Sequence, residues 1–180
     1  NKTTHAIDLN YGLHGYNKED VFASYSLHSK GSGRWSKKLM INWNQYRTNW
    51  IYEYWSNINI KKQTEVGLEM GAAYDESINF SGGIKQLNNY VYIDSLVSVM
   101  QSGVPINLFY ANLKLDHKLG PLRSMSNLKF TYSDNEVYPF PELYLKTALL
   151  LDHFYKKRIR YQLGLELNYL SGFNTYGYVP

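Results

Sequence analysis

The sequence predicts an all-β chain of long antiparallel strands, of the kind that closes into a barrel across a membrane. Three observations carry that expectation. Apolar and polar residues alternate with period two from one end of the chain to the other. The alternating segments run to about 10–12 residues, whereas strands of ordinary soluble sheets are nearer 5–6. The chain is also rich in aromatic rings, with 18 Tyr, four Trp and seven Phe among 180 residues, yet polar on average, with a mean hydropathy of −0.44.

The segments follow in order. Ile7, Leu9, Tyr11 and Leu13 share one face and Asp8, Asn10, Gly12 and His14 the other. After an Asn17–Asp20 turn, Val21, Ala23, Tyr25 and Leu27 alternate with Phe22, Ser24, Ser26 and His28. Beyond Gly31-Ser-Gly33, the segment from Trp35 to Gln45 sets Leu39, Ile41 and Trp43 against Met40, Asn42 and Asn44. A strand is expected from Trp50 to Ile60, with Trp50, Tyr52, Tyr54, Ile58 and Ile60 on one side. Thr64 to Tyr74 alternates most cleanly, placing Val66, Leu68, Met70 and Ala72 opposite Glu65, Gly67, Glu69 and Gly71. A short strand over Ile78 to Ile84 and another over Tyr90 to Val99 come next. Asn107 to Leu119, Ser124 to Tyr132, Leu143 to Tyr155 and Ile159 to Tyr169 complete a set of roughly ten or eleven.

Several classes are excluded. The longest apolar stretch, Leu143 to Leu151, is broken by Lys146 and Thr147, short of the 18 or more residues a membrane helix needs. Cysteine is absent, which removes disulfides and thiol chemistry. The net charge of +4 is carried by scattered Lys and Arg rather than a basic stripe, so no nucleic-acid partner is expected. None of the five His stands at metal-ligand spacing, and no cofactor is expected. Leu-Asp-His occurs at 115–117 and again at 151–153, but neighbours on a strand point to opposite faces, so neither Asp can serve its own His. The sequence therefore predicts no enzyme. Asp134-Asn-Glu136 lacks the repeating oxygen ligands of a dedicated calcium loop and reads as a solvated loop.

A soluble β-sandwich would alternate too. Three features favour the membrane barrel. The polar faces mix Glu, Lys, Arg and Asn with Gly and Ala, as a wet lumen does. Rings such as Trp35, Trp43, Trp50, Tyr74, Tyr132, Tyr155, Tyr161 and Tyr169 fall towards strand ends on apolar faces, where a bilayer interface would hold them. Apolar faces such as Val66-Leu68-Met70-Ala72 lack charge along most of a long strand, where a charge in lipid would cost roughly 2–4 kcal/mol at the midplane.

From Tyr138 to Lys146, at Tyr155 to Arg158 and from Tyr161 to Pro180 the chain resembles the C-terminal part of the putative porins of Bacteroidetes. In that family a strand of the form Gly-x-x-x-x-Tyr precedes a Tyr-x-Pro segment, matched here by Gly164, Tyr169, Tyr178 and Pro180. The resemblance implies an outer-membrane barrel and a longer parent protein. Residues 1–180 are accordingly expected to be a single barrel segment, truncated at one or both ends.

The function expected is passage of small polar solutes across the bacterial outer membrane, in contact with its lipid. Glu65, Glu69, Lys114, Lys129, Arg160 and Glu166 are the candidate pore-lining residues, and with both signs present no strong ion preference is expected. Two rivals remain. One is a non-conducting barrel subunit partnered by other outer-membrane or secretion-complex proteins. The other is a soluble β-domain whose rings stack on carbohydrate.

Overall fold

The computed structural model of the chain describes residues 2–31, 33–56, 58–75, 77–94, 96, 98–138, 140–155 and 159–172. Nine long strands build one antiparallel sheet: β1 (Lys2–Tyr11), β2 (Val21–Lys30), β3 (Trp35–Tyr46), β4 (Gln63–Tyr74), β5 (Ile78–Asn88), β8 (Ile106–Leu119), β9 (Leu122–Ser133), β10 (Leu143–Tyr155) and β11 (Ile159–Leu170). Each pairs with its neighbour along the chain. The one skip is β5 to β8, where a separate hairpin of three-residue strands, β6 (Val91–Ile93) and β7 (Val99–Gln101), is looped out. β1 and β11 are the two edges of the sheet.

The all-β expectation holds, and so do the bounds of most strands. The strand expected to be short over Ile78 to Ile84 runs on to Asn88, and the first strand ends at Tyr11, before Leu13 and His14. Two elements differ in kind. Residues expected as a strand over Trp50 to Ile60 instead carry a six-residue helix, α1 (Trp50–Trp55). The Asn49 side chain accepts a hydrogen bond from the Ile51 amide at 3.1 Å, and this N-cap outweighs the apparent alternation. Trp50 is therefore not part of a strand-end belt. The strand expected from Tyr90 to Val99 is split in two, because the Asp94 carboxylate accepts from the amides of Leu96 (2.9 Å) and Ser98 (2.8 Å) and folds the chain back.

Register fixes the geometry of the sheet. One cross-strand row runs Thr3, Ser29, Lys37, Ala72, Phe80, Leu113, Leu128, Leu145, Tyr169. Thr3 is the second residue of β1, whereas Tyr169 is the last but one of β11. The row thus climbs from one rim of the sheet to the other. With ~3.3 Å of rise per residue and ~4.8 Å between strands, that stagger tilts the strands by roughly 35–40°, within the range that barrel closure requires.

The two rims differ. At one, only two to four residues separate successive strands: 31–34, 75–77, Gly120-Pro121 and 156–158. Gly120 there takes a positive φ of 59°, as a two-residue hairpin turn demands. At the other rim the connections are long: 12–20, 47–62 with α1, 89–105 with the β6–β7 hairpin, and 134–142.

No second large sheet covers the apolar face among the described residues. Met70, in the middle of the sheet on β4, is 59% exposed, and Phe109 on β8 is 48% exposed. A soluble sandwich would bury that face against a partner sheet. The buried hydrophobic residues are few and sit mainly at the long-loop rim, on the polar side of the sheet. Leu87, Ile106 and Leu108 form the cluster there, with Tyr90, Val137 and Tyr138 of the loops packed against it.

Candidate functional site

Because the side-chain period is two and the register carries parity from strand to strand, each side chain of the sheet belongs to one of two faces. The charged residues separate almost completely. Lys2, Asp8, Lys30, Lys38, Glu65, Glu69, Lys85, Lys114, Asp116, Lys118, Arg123, Lys129, Lys146, Asp152, Arg160 and Glu166 all occupy one face. In the nine strands only Lys37 carries a formal charge on the other, and it lies at the tight-turn rim. All six residues predicted to line a pore therefore share the polar face. Glu65 and Glu69 stand on β4, Lys114 on β8, Lys129 on β9, and Arg160 and Glu166 on β11.

At the centre of that face a network crosses four strands. Glu65 accepts from Lys85 Nζ at 2.9 Å and from Asn42 Nδ2 at 3.2 Å. Glu69 accepts from Lys38 Nζ at 3.2 Å and from the Tyr110 hydroxyl at 3.1 Å. Lys85 Nζ also lies 5.9 Å from the centre of the Tyr110 ring.

Two glycines make the network possible. A Cβ on Gly67 would come within 2.5 Å of Asn42 Oδ1 and 3.3 Å of Lys85 Cγ, so both partners of Glu65 would have to shift. On Gly83 it would meet the Leu68 carbonyl and, at 2.8 Å, the Tyr110 hydroxyl. Gly83 is the register partner of both Glu69 and Tyr110, so the ring crosses the bare glycine to reach the carboxylate.

Three further carboxylates of the face, Asp116, Asp152 and Glu166, are paired as well. Arg123 grips Asp116 through Nε at 2.8 Å and through a second guanidinium nitrogen, and Arg160 holds Asp152 in the same forked way, its Nε bond also 2.8 Å. Lys146 reaches Glu166 at 3.1 Å.

Sequence reasoning missed Asn42, Lys38, Lys85 and Tyr110. Their alternation parity was the signal available, since each falls on the polar side of its own strand.

The Asp–His pairs are separated as alternation predicts. Asp116 lies on the polar face, while His117 and His153 take positions on the apolar one. Asp134, placed in a solvated loop by the sequence, is exposed in the connection after β9 and also caps β8, accepting from the Asn107 amide at 2.8 Å and from Asn107 Nδ2 at 2.7 Å.

At the long-loop rim the connections are tied to one another. Gln101 of β7 donates to the carbonyls of Lys61 (2.7 Å) and Asn89 (2.9 Å) and accepts from the Lys61 amide (3.0 Å). The Tyr16 hydroxyl donates to the Thr48 carbonyl at 2.6 Å, and buried Asp20 accepts from the Arg47 amide at 3.0 Å. Burial pushes the Tyr138 phenol up to about 12, with neighbouring Tyr90 adding to it, and burial also raises Tyr90. These loop phenols stay neutral near pH 7.

A family model described as Putative porin matches residues 7–180. The chain belongs to the putative porin family. No curated protein and no solved structure matches it significantly. Of the positions that carried the sequence resemblance to putative porins, Gly164 and Tyr169 lie on β11. Tyr178, Pro180 and the run Lys156 to Arg158 fall outside the described residues.

Proposed function

We propose that the polar face of this putative porin lines a water-filled path by which small polar solutes cross an outer membrane, with the apolar face against lipid. Passage needs no cofactor and no catalytic group. The observation that carries this reading is the separation of charge. A sheet whose charged residues, Lys37 aside, share one face while the other stays bare and apolar suits water on one side and hydrocarbon on the other. The unequal rims give the orientation. Barrels of this kind keep short turns on the periplasmic side and long loops outside, so the rim of Gly120-Pro121 faces the periplasm.

A second reading, a barrel that does not conduct, draws on the loops at the long-loop rim. Tyr90, Val137 and Tyr138 pack onto Leu87, Ile106 and Leu108 on the polar side, and narrow whatever passage lies there.

Single-channel recording of the intact protein in a planar lipid bilayer separates the two. Discrete conductance steps support the open path. An electrically silent bilayer, with insertion confirmed, supports the plugged barrel instead.

A further inference from the structure

We infer that the path along the polar face prefers small anions, with Lys114 and Lys129 as its selective residues; the inference rests on the pore reading above. A count of charge types gives no such preference, because both signs are present. Pairing changes the result. Glu65, Glu69, Asp116, Asp152 and Glu166 each have a cationic partner on the same face, namely Lys85, Lys38, Arg123, Arg160 and Lys146. A close pair acts at a distance as a dipole, whose field falls off faster than that of a lone charge. What a passing ion meets is therefore set by the charges left over.

Those charges are almost all positive. Among the described residues no carboxylate lies within 4.0 Å of the ammonium groups of Lys2, Lys30, Lys114, Lys118 or Lys129. The one carboxylate of the face without a cation is Asp8, on edge strand β1, which accepts only from Ser24 Oγ at 3.5 Å.

Lys114 and Lys129 sit nearer the middle of the sheet. Lys114 pairs in register with Asn127, and Lys129 with Asn112, so the two lysines are diagonal neighbours on β8 and β9, with backbones roughly 7–8 Å apart. Like charges on adjacent strands of one face repel, and an anion between them relieves the repulsion. Beside Lys114 lies a hollow of about 270 Å³, bordered also by Lys38, Asn112, Ser81, His28 and the Lys38-paired Glu69. Lys129 Nζ is positioned 5.7 Å from the Tyr144 ring centre, which steadies the side chain without neutralising it.

The test is the reversal potential of the intact protein in a planar bilayer under a potassium chloride gradient. The expected result is chloride favoured over potassium by roughly threefold or more, a preference that weakens as added salt screens the lysines. Lys114→Glu with Lys129→Glu should move the reversal potential towards potassium. The double Arg variant should keep the preference, and the double Gln variant should lose most of it. A pore that is nonselective or favours potassium overturns this inference while leaving the pore reading intact. A double Gln variant that conducts with unchanged selectivity overturns it too. A silent bilayer with insertion confirmed overturns both.

Discussion

At the scale of single residues, Gly83 is the strand position where one added methyl would do most harm. Ala there meets the Leu68 carbonyl, which is ladder backbone and cannot swing aside, and it also lifts Tyr110 away from Glu69. Gly83→Ala should cost about 1–3 kcal/mol, read from denaturant unfolding in liposomes. Tyr110→Phe removes only the bond to Glu69 and should cost no more than about 1 kcal/mol. Lys85 and Glu65 make the better-shielded ion pair of the face, at 2.9 Å. Even so, a double-mutant cycle should return only about 0.5–1 kcal/mol, because Lys85 remains partly in water. The loop phenols give a prediction in pH. A raised folded-state pKa means the folded loops favour the neutral phenol. The stability Tyr138 gains from burial is thus complete below about pH 10, the unfolded value, and is lost as pH rises towards its folded value of about 12. Tyrosinate absorbance of the folded protein should show a late-titrating phenol that Tyr138→Phe removes. An unchanged titration curve would contradict the packing of that loop.

At the scale of elements, face decides what a substitution costs. Leu68, midway along β4 on the apolar face, and Ser26, midway along β2 on the polar face, form a matched pair for testing this. Leu68→Arg should destabilise the protein in a bilayer by roughly 2–4 kcal/mol, and Ser26→Arg by well under 1 kcal/mol, in chemical denaturation from liposomes. Equal costs would mean that both faces meet the same medium. The long strands were legible because alternation over ten or more residues has few other readings, and β4, β8, β10 and β11 fall where the pattern put them. The segments at 50–60 and 90–99 were not, because their rings and aliphatic residues mimic alternation. What settles them is local hydrogen bonding, the Asn49 cap and the Asp94 turn, each resting on one side chain. Asn49→Ala should loosen α1 by about 1 kcal/mol and speed proteolysis within residues 47–62, leaving the strands protected.

At the scale of the whole molecule, a consistent stagger, a bare apolar face and two unequal rims belong together. Each is what a tilted sheet needs when one side is hydrocarbon and the other water. The edge strands β1 and β11 present unpaired ladder groups, which hydrocarbon does not tolerate, so in a membrane those edges must be paired. Membership of the polar face was readable from sequence, because parity alone puts Glu65, Glu69, Lys114, Lys129, Arg160 and Glu166 there. The partners were not. Lys85 meets Glu65, and Tyr110 meets Glu69, only once the register of β4, β5 and β8 is fixed, and register depends on turns that period two does not specify. The sequence contains no cysteine, so single cysteines can be introduced one at a time without background. The most direct test places them in turn at Glu65, Val66, Leu68, Glu69 and Met70 of the protein in liposomes, then measures labelling by a water-soluble thiol reagent and quenching of an attached fluorophore by lipid-borne quenchers. Period-two alternation is the predicted result, with Glu65 and Glu69 labelled from water and Val66, Leu68 and Met70 quenched from lipid. Uniform labelling of all five from water, or the opposite parity, would contradict the assignment of the two faces.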